Sequence, residues 1–190
     1  MATNSIIFLD VDGVLTMSRC LLEDFVEGDE SLYFHEGGEY IVPLEKSCVS
    51  NLKWIVDEVP NCYIVLSSTW REQPSYKKFL LSSLQLSGIA VENVYLGDTT
   101  VLGSVRGGRG AEVKDWLDCK CNLTYSSNCK FLIIDDDHKD SFCKYNLLAN
   151  LVVTIMKDPD GNRNKEGLTR DIAERVIHYF NTDTPIPVPL

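Results

Sequence analysis

The sequence predicts an α/β fold, a three-layer sandwich whose mainly parallel central sheet is covered by helices on both faces. Three observations predict it. Short, nearly continuous apolar runs recur along the chain, as strands buried on both faces require. Stretches with a helical spacing of apolar residues separate these runs. Polar residues able to carry chemistry cluster directly after the runs, beyond the carboxyl ends of the strands, where open α/β sheets bind their ligands.

In chain order the strands are Ile6 to Leu9, Tyr63 to Leu66, Phe131 to Ile134 and Leu151 to Ile155, with a weaker fifth at Val91 to Tyr95. The first helix is marked by Cys48, Leu52, Ile55 and Val56, the second by Phe79, Leu80 and Leu84, and the third by Val113, Trp116 and Leu117. Ile172, Ala173, Val176, Ile177 and Phe180 mark the last helix, with Thr169 as its N-cap. Thr16 to Pro43 is acidic, contains Gly28, Gly37 and Gly38, and keeps no period, so it reads as a long loop or small flap. Gly97 to Gly110 reads similarly. Residues 1–180 are expected to form one domain, and residues 181–190, with three prolines, an extended or disordered tail.

The composition excludes several classes. With 28 acidic against 18 basic side chains and a formal charge of −10, the chain has no broad surface for gripping duplex DNA, so any nucleic-acid contact should be local. No apolar run approaches the roughly 20 residues that span a bilayer, and Asp10 and Asp12 come too early for a secretory signal. A cytoplasmic protein with no membrane partner is expected. Its seven cysteines are odd in number and lack framework spacing, so they read as free thiols.

The first strand runs out into Leu9-Asp10-Val11-Asp12-Gly13-Val14. A carboxylate can attack phosphorus to form an aspartyl-phosphate, provided a cation offsets the repulsion and a second acid protonates the leaving oxygen. Asp10 suits the nucleophile and Asp12 the general acid/base. Gly13 lets the chain turn so that amides of residues 11 to 13, Val11 among them, face phosphate oxygens. The second strand ends in Ser67-Ser68-Thr69-Trp70-Arg71. Ser67 is the first choice for a phosphate-oxygen ligand, Ser68 either a ligand or a helix cap, and Arg71 a partner for phosphate or for a nearby acid. Trp70 reads as core.

The strand Phe131 to Ile134 runs out into Asp135-Asp136-Asp137-His138, and successive carboxylates there are costly unless a positive charge sits among them. Mg2+ supplies it: Asp10, the backbone carbonyl of Asp12, and Asp136 or Asp135 would join phosphate and water in an oxygen shell. Asp137 and Asp140 fall behind these, and His138 reads as surface. A basic group is also needed at a helix start; Arg109 is the candidate, with Arg106 and Lys114 as alternatives.

In this order, the Asp-x-Asp-Gly-Val motif, strand-end Ser67, Arg109 and the Asp135-Asp136 pair resemble the four motifs of the haloacid dehalogenase-like (HAD) hydrolase superfamily. Leu9 to Leu15, Leu66 to Arg71, Arg109 to Leu117 and Gly167-Leu168-Thr169 bring the chain closer to its Swiss-army-knife RNA repair-like subgroup. The resemblance spans residues 5 to 180 or so, and Arg109 stands where many relatives carry Lys. It implies a Rossmann-like sheet with minimal or no cap domain, Mg2+, an aspartyl-phosphate and phosphatase activity on a phosphomonoester. A phosphorylated small molecule or nucleotide is the expected substrate, with a nucleic-acid end as a further option that the net charge does not favour. The alternative is a HAD-fold binding or regulatory module with little turnover. A phosphorylated signal receiver would share the residue types but would place its acidic pair early in the chain, not late.

Two other motifs are set aside. Cys119-x-Cys121 with Cys129 lacks a fourth zinc ligand at a credible spacing. Asp158-Pro159-Asp160-Gly161-Asn162 lacks the glutamate of a calcium loop and reads as a polar turn.

Overall fold

The computed structural model describes residues 3–16, 33–34, 44–102, 108–121, 129–136, 139–157 and 163–182. Five strands form one parallel sheet: β1 (Asn4–Leu9), β4 (Cys62–Leu66), β5 (Tyr95–Asp98), β6 (Cys129–Asp135) and β7 (Leu151–Val153). Their spatial order is β5-β4-β1-β6-β7, which places β1 at the centre. The chain moves outward from β1 to one edge, then crosses back to build the other. A switch point therefore lies beside β1, and in open α/β sheets a crevice opens there.

Alternation along the strands decides which helix packs on which face. Ile7 and Leu9 of β1, with Ile64, Leu66, Leu132 and Ile134, pack against α1 (Lys46–Glu58), α2 (Pro74–Leu86) and α6 (Arg170–Thr182) through Leu52, Ile55, Leu80, Ile172 and Val176. Ile6 and Phe8, with Val65 and Ile133, face α4 (Gly108–Trp116) and α5 (Lys139–Cys143) through Val113, Trp116 and Phe142. The Phe8 and Trp116 rings meet edge to face at 5.3 Å. Both faces of β1 are thus apolar, which explains why its sequence is a continuous run. Thr169 caps α6 as expected, its hydroxyl accepting from the Ile172 amide at 3.3 Å.

Two strand assignments need correction. The fifth strand is not Val91 to Tyr95: Val91–Val94 forms the single helical turn α3, and the strand begins at Tyr95. Val91 and Val94 lie one turn apart, a spacing that suits a helix as well as an edge strand. The run Leu151 to Ile155 is also split. After β7 the Thr154 amide bonds the Asp135 carbonyl, and Ile155 enters an antiparallel ribbon, β8 (Ile155–Lys157) with β9 (Arg163–Lys165). The Asp158 to Asn162 turn lies outside the described residues, as do Arg106, Asp137, His138 and residues 183–190. Between β1 and α1, the described elements are β2 (Tyr33–Phe34) and β3 (Leu44–Glu45), paired antiparallel.

Cys48, Cys62, Cys119, Cys129 and Cys143 are free thiols. Burial pushes the Cys62 thiol up to about 12, so it behaves as a small core residue. Among the described residues, no helix is long and apolar enough to cross a membrane.

Candidate active site

The carboxyl edge of the sheet is a row of buried polar residues, one from each strand: Thr99, Ser67, Asp10, Asp135 and Thr154. Their backbones extend the ladder. The Thr99 amide donates to Leu66, Ser67 to Leu9, Asp10 to Ile134, and Thr154 to Asp135, over 2.8 to 3.2 Å. Apolar sequence lasts as long as a strand has helices on both sides, and polar chemistry begins where that cover ends.

Asp10 and Asp136 are nearly buried and Asp135 is fully so; one carboxylate oxygen from each lies within 4.8 Å of the others. Such a hard oxygen set suits Mg2+, which takes carboxylate ligands. The surrounding charge fits as well. Among the described residues, four buried carboxylates (Asp10, Asp135, Asp136, Glu112) share the site with the buried guanidinium groups of two arginines, Arg71 and Arg109, so negative charge is in excess. A divalent cation would balance it.

Arg109, in the first turn of α4, directs Nη1 to Asp10 Oδ1 at 3.2 Å. Lys114 lies further along α4, half exposed and paired with Asp118. The alternative basic residue on this helix therefore points away from the site. α4 comes in close because Gly110 has no side chain: a Cβ there would lie 2.3 Å from the Ser141 carbonyl oxygen of α5. The Gly110 amide bonds Ser141 Oγ at 2.8 Å.

Gly13 is the other close approach. Its φ is +73°, and a Cβ would lie 2.2 Å from Asp136 Oδ2. Only glycine meets both demands cheaply. The turn is closed by Thr16, whose hydroxyl accepts from the Gly13 amide at 3.2 Å, and by Thr154, whose hydroxyl donates to the Gly13 carbonyl at 2.8 Å. The Gly13 amide, expected to face phosphate, is thus directed at Thr16. The Val11 carbonyl accepts from the amides of Val14, Leu15 and Thr16.

Asp12 stands outside the carboxylate trio. Trp70 Nε1 donates to both of its oxygens, at 3.1 and 3.2 Å. Although Asp12 sits at the exposed rim, surrounding protein strips water from its carboxylate and pushes its pKa up; the negative charges of Asp10 and Asp136 push the same way, against the Trp70 and Thr16 bonds. The Trp70 ring packs on Tyr76 and Phe79, so it is core on one side and polar on the other.

The serine motif divides. Ser67 Oγ is buried and makes no hydrogen bond among the described residues. Ser68 Oγ instead accepts from the Trp70 amide and caps the 3-10 turn Thr69–Glu72. Arg71, expected to face phosphate or an acid, faces the acid: Nη2 donates to Glu112 Oε2 at 2.7 Å and Nη1 to the Ser68 carbonyl. Its side chain is 3% exposed. Ser68 Oγ and both terminal nitrogens of Arg71 are thus engaged by the protein itself.

Glu112, Trp70, Thr16 and Thr154 were not among the residues the sequence pointed to as site-forming. Glu112 carried a local signal, its i,i+3 spacing from Arg109. Thr16 touches it from three residues beyond Gly13, whereas Trp70 and Thr154 reach the site across 58 and 141 residues.

A five-stranded parallel sheet with helices on both faces, and a buried acidic cluster at its carboxyl edge, defines a Rossmann-like α/β protein whose carboxylates could hold a cation. The chain belongs to the HAD family: the family model described as the HAD domain in Swiss Army Knife RNA repair proteins matches residues 6–157. Comparison with curated proteins and with solved structures gives no match.

Proposed function

We propose that this chain is a Mg2+-dependent phosphatase that hydrolyses a phosphomonoester through an aspartyl-phosphate on Asp10. The observation that carries this reading is the meeting of Asp10, Asp135 and Asp136 within 4.8 Å, with Arg109 3.2 Å from Asp10.

Asp10 attacks phosphorus through a carboxylate oxygen, and the bond from phosphorus to the leaving oxygen breaks. Asp12 gives that oxygen its proton; its raised pKa favours the protonated form needed for this. Asp12 then takes a proton from water as the water attacks the aspartyl-phosphate, releasing phosphate and restoring Asp10. Ser67 Oγ donates to a phosphate oxygen, and Arg109 offsets the charge between nucleophile and phosphate. Bound Mg2+, held by Asp10, Asp135, Asp136 and the Asp12 carbonyl, would supply the positive charge that lets two anions meet. Ser68 and Arg71 hold the frame and not the substrate.

The substrate is a phosphorylated small molecule or nucleotide, or a nucleic-acid end. The family description, which speaks of RNA repair, favours the end; the charge of −10 restricts it to a local contact.

The test is hydrolysis of an aryl phosphate, followed by sugar phosphates, nucleotides, phosphopeptides and 5′- or 3′-phosphorylated oligonucleotides. Turnover should require Mg2+ and fall at least about a thousandfold in Asp10→Asn. Full activity in that variant would remove the reading.

A further inference from the structure

We propose that Glu112 is a positioning residue that presets Arg109 for phosphate charge. This rests on the phosphatase reading for its chemistry, but on separate observations for its geometry. Glu112 lies one turn into α4, buried, and its carboxylate joins three segments. Oε2 accepts from Arg71 Nη2 at 2.7 Å and lies 3.8 Å from Arg109 Nε. Oε1 accepts from the Leu102 amide at 3.0 Å.

The consequence is directional. Glu112 faces Arg109 from the Nε side while Asp10 faces Nη1, so the guanidinium is held between two carboxylates, one on its own helix and one directly after the central strand. A long arginine loses considerable rotamer freedom in one geometry, and one fixed before substrate arrives does not lose it again on binding. Arg71 keeps Glu112 from turning wholly to Arg109. It anchors the carboxylate to the 3-10 turn that follows Ser67, so the phosphate-side hydroxyl and the phosphate-side cation share one frame. The Leu102 bond ties the chain ahead of α4 to the same carboxylate.

The experiment is a double-mutant cycle on the full chain, using Glu112→Gln, Arg109→Ala and the pair. Inorganic phosphate binding with Mg2+ present is measured by calorimetry, and aryl phosphate turnover alongside. Glu112→Gln should weaken phosphate binding and lower kcat about tenfold or more, the scale on which outer-shell partners act. That loss should nearly vanish in the Arg109→Ala background, because Glu112 acts through Arg109. Arg71→Gln, on another element, should reproduce part of it, which keeps the test open should Glu112→Gln fold poorly. Equal losses in both backgrounds, no loss at all, or a wild-type chain that binds no phosphate would each overturn the proposal. Asp10-independent turnover would instead overturn only the phosphatase reading, since the phosphate-binding cycle still decides on Glu112.

Discussion

At the scale of single residues, the site depends on side chains that hold other side chains. Trp70 is the clearest case. Its ring is core, yet Nε1 donates to both oxygens of Asp12 and so fixes the direction of the group assigned the proton transfers. Trp70→Phe keeps a ring against Tyr76 and Phe79 but removes the donor. Turnover of an alkyl phosphate, whose leaving oxygen needs a proton, should fall about a hundredfold, the lower end of general-acid contributions. A nitrophenyl ester should lose much less, and equal losses on the two esters would show that Trp70 acts otherwise. Asp10, Asp12, Ser67 and Arg109 were legible in the sequence because each follows a strand or opens a helix. Trp70 read as core because its partner lies 58 residues away.

At the scale of elements, α4 delivers Arg109, and its distance from the sheet depends on Gly110. The helix crosses α5 so closely that a methyl group at this position would collide with the Ser141 backbone. Gly110→Ala should therefore lower stability despite the better helix propensity of alanine, by about 1–3 kcal/mol as overpacking costs. Urea unfolding measures this, and a stability unchanged or raised would show that the helices separate freely. Activity should fall as well, because a displaced α4 carries Arg109 away from Asp10. The glycine-rich stretch before α4 read as a loop, and the helix was placed by Val113 and Trp116. Nothing local announced that Gly110 lies at a helix crossing, since the colliding atom belongs to Ser141.

At the scale of the whole molecule, the sheet gathers negative charge at one edge and covers it. Buried carboxylates this close repel one another, so a cation bound among them would link its binding to folding. Mg2+ at a hundredfold excess over its dissociation constant should stabilise the fold by about 2.7 kcal/mol. A chelator should reverse the gain. Asp136→Asn, which removes a member of the trio, should abolish the response of Tm to Mg2+ without unfolding the chain; an unchanged response would place the cation elsewhere.

The sequence by itself determined the alternation of strands and helices, because apolar periodicity reports burial and burial follows from the layers. It also determined which residues end the strands, Asp10, Ser67 and Asp135-Asp136 among them, since polar residues begin where the helical cover stops. Only the tertiary structure decided who holds whom. It directed Arg71 to Glu112 across 41 residues and Arg109 to Asp10 across 99. It closed the Gly13 turn with Thr154, 141 residues away. The physical reason is that a periodic pattern encodes a face, whereas a hydrogen bond requires a partner, and partners are assigned by the strand order that places β1 at the centre of the sheet.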